Sequence, residues 1–545
     1  MALSKKHKAF RFAKIIPIDA NNINLEQAFA RFLVLIRTKG LPITSTSKET
    51  LYPDSLIEVI AEDREHFQGI SNESQRKRLL EHWISNDFTT CIREGRGHAG
   101  KPRIANLKPI HLSTIKLLDP RIKSQDRDLS VFFYNLFKDT GVIIGQDSLL
   151  LPYLTRSTID FGDYDTQIDE TKARDLDIET LFLLRLLEHF KTDRPDRNRR
   201  VFNHDFICPA QKQLIINDTV RLLVYGDIIP RRELIQYLMT LLSFHAALYC
   251  IKSFSIVTVI AEQKKFRCDK CKGINNNSLD DLYMCTYHPD IFVDLTNGQN
   301  DKCDELAKEK LAKHYAIMYR YFRSHYKLKK LDEFASTFPR YSGSIEELVG
   351  FMNHEDLKGY FRSKLSEVTS TEEGEEQDPE IESIRNLGLD PFETYVEILY
   401  QKTYKTRVQN HKKLMASLCG LNREDGFLQG GRGKKRKYVL GNQLLEVLLQ
   451  LAVVSYNKNR GFYTKPIRIT DFVEWLYNRY GILIDRFNEP YKHMQVASAL
   501  ESNYMALKDR LRQLGFYTDL SDASISQAIR PRFYIESLHV RPGEN

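Results

Sequence analysis

Four side chains of the kind that bind zinc stand within one short stretch of this chain. They are Cys268, Cys271, Cys285 and His288, spaced as Cys-x2-Cys, thirteen residues and Cys-x2-His. Each two-residue gap lets a tight turn offer two ligands, so the two turns together predict a tetrahedral zinc shell. Four protein ligands leave no position for water or substrate, which indicates a structural zinc. Cys303 is near enough in sequence to replace His288, and accidental thiol turns or buried cysteines are the alternative.

The length and composition indicate a large folded protein. A chain of 545 residues predicts roughly three domains, and 42% hydrophobic residues are enough for sizeable cores. No run of roughly 18 apolar residues is present, so no transmembrane helix is expected. The N-terminus is basic but lacks the apolar stretch of a secretory signal. Eight cysteines in this length fit a reducing compartment, so a cytoplasmic location is expected.

The positive charge is concentrated in the C-terminal third. The net charge is +8, while residues 383–545 hold 25 Lys and Arg against 16 Asp and Glu, a surplus of +9. The first 382 residues therefore sum to −1. A localised basic surplus favours a polyanionic partner such as DNA, and a solvated charged surface is the alternative.

The apolar spacing predicts a mainly α, multi-domain protein with a small zinc-knuckle insertion and a C-terminal winged helix-turn-helix. The predicted boundaries are a helical region 1–254, a zinc-knuckle insertion 255–303, a helical continuation 304–365, an acidic linker 366–382 and a basic domain 383–545. The predicted elements before the linker are helices Leu25 to Arg37, Leu176 to Phe190, Arg231 to Lys252 and about Asp304 to Leu331, and strands Ser255 to Ile260 and Ile291 to Leu295.

The order of elements after residue 440 is typical of a winged helix. The pattern predicts a helix, a short strand, two helices and a hairpin: Leu440 to Val454, Ile467 to Ile469, Asp471 to Tyr480 capped by Thr470 or Asp471, Ala497 to Leu514, and strands Phe516 to Leu520 and Ile529 to Ile535. In that fold the third helix enters the major groove and the hairpin touches the backbone. The predicted DNA contacts are Lys508, Arg510, Arg512, Arg530 and Arg532. Winged helices also dock proteins, which is the competing interpretation.

A glycine-rich basic loop precedes this unit, with the sequence GGRGKKRK from Gly430 to Lys437. It lacks the hydroxyl residue and the preceding strand of a nucleotide-binding P-loop, so we reject a nucleotide site. A flexible basic loop that touches phosphate is the favoured interpretation over a solvated loop. Its candidate contacts are Arg432, Lys434, Lys435, Arg436 and Lys437.

No catalytic arrangement is recognisable in the sequence. The acidic stretch Asp160 to Asp169 and the pair Glu262 and Lys264 are interpreted as solvated rather than as magnesium ligands. His314 and His325 fall on roughly one face of a predicted helix and are interpreted as core or surface histidines. Enzyme activity is not supported, although a nuclease site assembled from distant residues stays open as an alternative.

Three stretches resemble a family of defence proteins. They are Gly431 to Leu451, Leu507 to Ile535 and Ile291 to Asp301 (IFVDLTNGQND). They resemble accessory proteins of multi-gene bacterial antiphage defence systems, of the methylation-associated or Druantia type. The resemblance implies a bacterial cytoplasmic subunit that acts beside a helicase, nuclease or methyltransferase.

These observations predict that the protein is a non-catalytic DNA-binding or scaffold subunit of an antiphage defence complex. The alternative is an adaptor whose winged helix docks a helicase or nuclease partner. The expected partners are DNA and other defence-system proteins, with no membrane and no small-molecule substrate, and the expected cofactor is a structural zinc.

Overall fold

A computed structural model describes residues 7, 9–41, 53–62, 72–84, 86, 89–93, 102–107, 126–140, 178–179, 181–182, 201, 206–264, 289–369, 378–431, 435–457, 459–487, 494–517 and 528–538. Within these ranges the protein is mainly helical, as predicted, and its β-structure consists of short two-stranded pairs. Helix packing therefore builds the core.

The described residues of the N-terminal half form helices and one antiparallel β-pair. Its elements are α1 (Leu25–Arg37), α2 (Pro53–Glu62), α3 (Glu73–Trp83), β1 (Thr89–Arg93), β2 (Pro102–Leu107), α4 (Leu129–Phe137), α5 (Pro209–Leu223) and α6 (Arg231–Gln263). Helix α1 has the predicted bounds, and the Asn24 side chain caps it by accepting a hydrogen bond from the backbone N–H of Gln27 at 3.1 Å. The helix predicted from Leu176 to Phe190 lies mostly outside the described residues, and the four residues described there are helical.

The central element is α6, which contacts α1, α5 and several helices farther along the chain. The strand predicted from Ser255 to Ile260 is wrong, because these residues continue α6 to Gln263. Their β-branched side chains favour a strand, but burial within an uninterrupted apolar helix outweighs that preference. By length and composition Arg232–Gln263 resembles a membrane span, yet most of it is buried inside the protein, as expected of a core helix.

The middle of the chain supplies a long helix and its partners. The elements are β3 (Ile291–Phe292), α7 (Asp301–Ala335), α8 (Ile345–Gly350), a 3-10 turn (Phe351–Asn353), α9 (Leu357–Thr369), α10 (Pro379–Arg385) and α11 (Pro391–Leu418). Helix α7 contains the predicted helix and extends it at both ends. The ends of the predicted acidic linker are helical, since α9 includes residues 366–369 and Asp378 caps α10. Residues 370–377 lie outside the described part.

The C-terminal part contains short strands between three helices. The elements are β4 (Leu428–Gln429), β5 (Lys437–Tyr438), α12 (Asn442–Ala452), β6 (Val454–Asn457), β7 (Gly461–Thr464), β8 (Ile467–Arg468), α13 (Ile469–Tyr480), β9 (Ile482–Leu483), α14 (Met494–Gln513) and β10 (Ala528–Ile529). The three predicted helices and the strand at Ile467 are confirmed. The predicted cap of α13 is wrong: Arg468 is the N-cap, and its side chain pairs with Asp471 instead of capping.

Strand pairing joins distant parts of the chain. β3 pairs in parallel with β9, so Ile291 lies opposite Ile482. β10 pairs antiparallel with β8, with Ile529 opposite Ile467. β10 thus pairs with the strand before α13, and most of the first strand and the turn of the predicted hairpin lie outside the described residues. Residues 518–527 lie outside the described part, and the backbone N–H of Arg530 donates to the carbonyl of Phe516 at 3.0 Å.

One apolar core runs from Phe10 to Ile535 and includes buried residues from both sides of the predicted linker. α6 packs against α7, α11 and α12, and α7 packs against α11 and α14. A smaller apolar cluster joins the start of α7 to β9 and the start of α14: Phe292, Cys303, Leu306, Ala307, Leu483, Val496 and Ala499. Among the described residues, the basic C-terminal part therefore shares its core with the helices before it.

Candidate nucleic-acid interface

The turn between β3 and α7 is fixed by the carboxylate of Asp294. This carboxylate accepts hydrogen bonds from the backbone N–H and the hydroxyl of Thr296, at 2.8 and 2.6 Å, and from the backbone N–H of Gly298 at 3.2 Å. Asn297 and Gly298 have φ values of 55° and 79°, the left-handed region that Asn and Gly tolerate best. Asn300 then caps α7. The result is an exposed, rigid polar tip at residues 297–299.

Lys437 attaches the basic loop to this turn. Its ammonium group donates to Asp294 at 2.6 Å and lies 2.8 Å from Asp304. The side chain of Lys437 is only 10% exposed, and that of Asp294 is fully buried. Burial alone would lower the pKa of Lys437, but the hydrogen bonds to the two carboxylates raise it. The sequence predicted that Lys437 contacts phosphate. In the structure its ammonium group instead lies inside the protein between two carboxylates, those of Asp294 and Asp304, and anchors the loop.

The other described residues of the basic loop, Gly430, Gly431, Lys435 and Arg436, lie between β4 and β5. Gly430 has a φ of +114°, and a Cβ there would lie 2.2 Å from the carbonyl oxygen of Lys435, so the tight return of the loop requires glycine. Arg436 donates from Nε to the carbonyl of Gly431 at 3.1 Å. Lys435 is exposed. The predicted contacts Arg432 and Lys434 lie outside the described residues.

Helix α14 is fixed to β3 by a buried asparagine. The Asn503 side chain accepts from the backbone N–H of Leu295 at 2.8 Å and donates to the carbonyls of Val293 at 3.0 Å and Ile484 at 2.9 Å. All its polar atoms are thus used, although the side chain is fully buried. Sequence reasoning missed Asn503. The available signal was a lone amide on the otherwise apolar face of a predicted helix.

Arg510 connects the three stretches directly. One terminal nitrogen donates to the carbonyl of Leu440 at 2.5 Å, and the other donates to the side-chain oxygen of Asn297 at 2.6 Å. Burial lowers the pKa of Arg510 from its usual value. The stretches around Ile291, Gly431 and Leu507, which are far apart in sequence, therefore meet at one place. Sequence reasoning predicted Arg510 as a DNA contact but missed Asn297 as its partner.

The remaining predicted cations differ in their surroundings. Arg512 pairs with Asp509 at 2.9 Å. Arg532 pairs with Glu446, donates to the carbonyl of Leu514 and lies over the ring of Phe516. Three of the predicted DNA-contacting residues have no ion pair within the described part of the chain: Lys435, Lys508 and Arg530.

Comparison with known proteins shows which family this chain belongs to. A family model described as methylation-associated defense system protein MAD7 matches residues 5–533. The chain belongs to this family. The match includes the stretches at Ile291 and Gly431 whole and the stretch at Leu507 as far as residue 533, and it confirms the resemblance to methylation-associated defence proteins. Neither the curated proteins nor the solved structures include a significant match.

The predicted zinc ligands of this MAD7-family chain, Cys268, Cys271, Cys285 and His288, lie outside the described residues. Both ends of that segment are held by the described structure. At one end, the ammonium group of Lys264 donates to the side chain of Asn353 at 2.6 Å. At the other, His314 hydrogen-bonds the backbone of Pro289 and the Tyr438 hydroxyl, the latter at 2.7 Å.

Cys303, the alternative zinc ligand, lies in the small apolar cluster at the start of α7. Its thiol donates to the carbonyl of Ala499 at 3.1 Å, and burial raises its pKa to about 12. His288 and its alternative Cys303 both stay predictions for the fourth zinc ligand. Within the described ranges no group of three or more His, Cys, Asp or Glu side chains is placed to hold a metal.

The residues weighed as catalytic candidates have structural partners in this defence protein. Glu262 pairs with Arg320 through both carboxylate oxygens, at 2.9 and 2.7 Å. His314 and His325 are both buried in the core, as the sequence indicated; His325 contacts the carbonyl of Phe10 at 2.8 Å. The acidic stretch Asp160 to Asp169 lies outside the described residues.

Proposed function

We propose that this MAD7-family protein is a non-catalytic DNA-binding subunit of a bacterial antiphage defence complex. The observation that carries the proposal is the convergence of the polar turn, the basic loop and α14. Lys437 and Arg510 fix the loop and the helix to the turn. Lys435 and Lys508 extend from the same loop and helix, and neither has a carboxylate partner within the described ranges. Fixed backbone and free cations are what a phosphate-contacting surface needs.

A winged-helix fold of the C-terminal part is supported by order and pairing. Helix α12, strand β8, helices α13 and α14 and strand β10 follow the order of that fold. β8 pairs antiparallel with β10, and Arg530 hydrogen-bonds Phe516 next to it. The hairpin β6–β7 and the strand β9 are additions to that plan. In this arrangement α14 occupies the position of the recognition helix.

The second candidate is a protein-docking adaptor, and the outer face of α14 favours it. Glu501 and Asp509 are exposed there alongside Arg512, so the face carries mixed charge. Met505 is 49% exposed on the same helix, which suits a protein partner better than a phosphate backbone. Such an adaptor would dock a helicase or nuclease of the same system in the cytoplasm.

DNA binding is tested with the full-length chain, because its C-terminal part shares a core with the helices before it. We expect a mobility shift of duplex DNA at roughly 50 mM salt that weakens strongly at roughly 200 mM. The double variant Lys435→Glu and Lys508→Glu is expected to weaken the shift. A matched control, Lys358→Glu and Arg362→Glu, reverses two exposed charges on α9 and leaves it unchanged.

The two candidate functions separate cleanly in this experiment. If the full-length protein gives no mobility shift of duplex DNA at low salt, the DNA-binding role is wrong. Co-purification of a defence-system partner that survives the Lys435 and Lys508 reversals, together with no shift, favours the adaptor. Arg510 is unsuitable for this test, because its two hydrogen bonds make it part of the fold.

We further propose that Cys268, Cys271, Cys285 and His288 hold a structural zinc. The donor set and spacing suit a closed tetrahedral site. The ends of the segment are anchored on α6 and at Pro289, so a metal between them would fasten a loop whose ends are already fixed. Metal analysis of the purified protein should give one zinc per chain, lost in Cys268→Ser and Cys285→Ser. Zinc-free wild-type protein prepared without chelators would contradict this.

A further inference from the structure

The hairpin β6–β7 carries basic charge that the predicted interface does not include. From Val454 to Arg468 the sequence has four Lys or Arg and no Asp or Glu. The register places Tyr456 opposite Phe462, and their rings contact on the core side with centroids 5.0 Å apart. The alternate positions of the strands therefore face outward.

The C-terminal segment makes this hairpin rigid. The backbone N–H of Thr464 donates to the carbonyl of Ile535 at 3.0 Å, and Phe462 and Leu538 exchange backbone hydrogen bonds. Arg460 donates from Nε to the carbonyl of Glu536 at 2.7 Å, and its guanidinium lies 4.5 Å from the ring centroid of Tyr463. The terminal nitrogens of Arg460 are thus presented from a fixed position.

Neighbouring strands extend the basic surface. Lys465 is exposed and has no ion pair among the described residues. Arg468 lies in β8 opposite Ala528, and Arg530 follows the paired residue Ile529, so both are on the solvent side of the β8–β10 pair. We name Arg460, Lys465, Arg468 and Arg530 the basic strip.

Nearby groups alter the charge of the basic strip only in part. Arg468 pairs with Asp471 through two hydrogen bonds, and the Glu536 side chain is exposed next to Arg460. Tyr534 is 65% exposed in the adjoining segment. Exposed aromatic rings between cations are typical of surfaces that bind nucleic acid. By contrast, the segment 518–527 has two Asp and no Lys or Arg, so its charge does not suit a backbone-contacting wing.

We propose that the basic strip is a DNA-backbone contact surface, with the inserted hairpin β6–β7 in the role expected of the wing. This inference rests on the proposed DNA-binding function and assigns part of its contact surface. The occupant is a polyanion because the strip presents four cations against two neighbouring carboxylates, Asp471 and Glu536. Phosphate contacts of this kind position a protein on a duplex and are independent of base sequence.

The test uses the full-length chain and a labelled DNA duplex in a salt series. The strip variant carries Lys465→Gln, Arg468→Gln and Arg530→Gln, and leaves Arg460 to hold the C-terminal segment. The matched control carries Arg340→Gln, Lys358→Gln and Arg362→Gln, three exposed cations that lose the same charge elsewhere. Thermal unfolding midpoints of both variants show that the fold is kept, and the single variant Lys465→Glu replaces the triple variant if it is not.

The strip variant should bind at least about tenfold more weakly at moderate salt than the control variant. The slope of log affinity against log salt should become shallower by about 2 to 3, since each lost phosphate contact removes about 0.9. Equal affinity and slope in the strip and control variants overturn the basic strip alone. If wild-type protein does not bind at low salt, both the strip and the proposed DNA-binding function are overturned.

Discussion

Two buried carboxylates, Asp218 and Asp294, pair with cations from distant segments of the chain. Asp218, on α5, contacts Arg479 and Tyr480, on α13, and also His245, on α6. Burial alone would raise the pKa of Asp218, but the Arg479 guanidinium and the His245 hydrogen bond outweigh it and hold the pKa below its usual range. Removing one partner of such a cluster leaves a buried charge uncompensated, which costs more than the pair contributes.

Two lysines of the basic loop provide a matched test of this point. Lys437→Met leaves Asp294 buried without its cation and is expected to destabilise the fold by about 3 to 5 kcal/mol. Lys435→Met changes an exposed side chain and should stay within about 0.5 kcal/mol. Denaturant unfolding of the two variants measures the difference, and equal stabilities would show that Lys437 is not an anchor.

Three buried histidines predict acid sensitivity. Burial lowers the pKa of His325 to about 3 and those of His314 and His411 to about 4. Because their ordinary value is 6.5, the unfolded chain binds more protons below pH 6.5, and stability falls as the pH drops toward 4. Each histidine contributes up to about 1.4 kcal/mol per pH unit. Burial raises the pKa of Asp126 to about 6. Below that pH the folded protein therefore binds a proton at Asp126, which offsets the proton that the unfolded chain binds at one of the histidines.

Unfolding measured between pH 7 and pH 5 checks this prediction. His411→Leu should reduce the number of protons taken up on unfolding by about one, because it removes one group that must stay neutral in the folded protein. The free energy of unfolding should then depend less steeply on pH. An unchanged pH dependence in His411→Leu would contradict the assignment.

At the scale of elements, apolar spacing predicted the helices well and the strands poorly. The helices at Leu25, Leu440 and Ala497 were predictable because each shows a helical period. The strand predicted at Ser255 failed because its β-branched residues lie inside a buried helix. Strands were predictable at β8 and β10, but their pairing with each other was not, because that pairing depends on tertiary packing.

The β4–β5 hairpin owes its shape to one glycine. Gly430→Ala would place a Cβ against the carbonyl of Lys435 at a positive φ and should cost at least about 1 kcal/mol. Gly431→Ala meets open space and should be neutral within about 0.5 kcal/mol. Thermal unfolding of both variants checks this, and equal midpoints would mean that the loop adopts another path.

At the scale of the whole molecule, the domain boundaries stay a prediction, and among the described residues one apolar core includes residues from both sides of the predicted linker. Charge and element order indicated where the C-terminal part begins. They could not show that α6 and α7 pack against it, because contacts between distant segments leave no periodic signal. The candidate site shows the same division: its cations were predictable from the sequence, but Asp294, Asn297 and Asn503 were not.

The shared core predicts how fragments behave. Residues 374–545 expressed alone should be insoluble or unfolded, because the apolar residues that contact α6 and α7 would be exposed. Co-expressed with residues 1–373, they should form a soluble complex that survives size-exclusion chromatography. A monomeric, cooperatively folded 374–545 fragment would instead establish an independent domain.

The salt dependence of DNA binding is the decisive measurement for the proposed DNA-binding function. The measurement is the affinity of full-length protein for duplex DNA by fluorescence anisotropy across a salt series, compared with the Lys435→Gln and Lys508→Gln double variant. A phosphate-contacting protein should give a slope of log affinity against log salt of about −3 or steeper, shallower by about 2 in the variant. No binding at low salt, or a slope near zero, would contradict it.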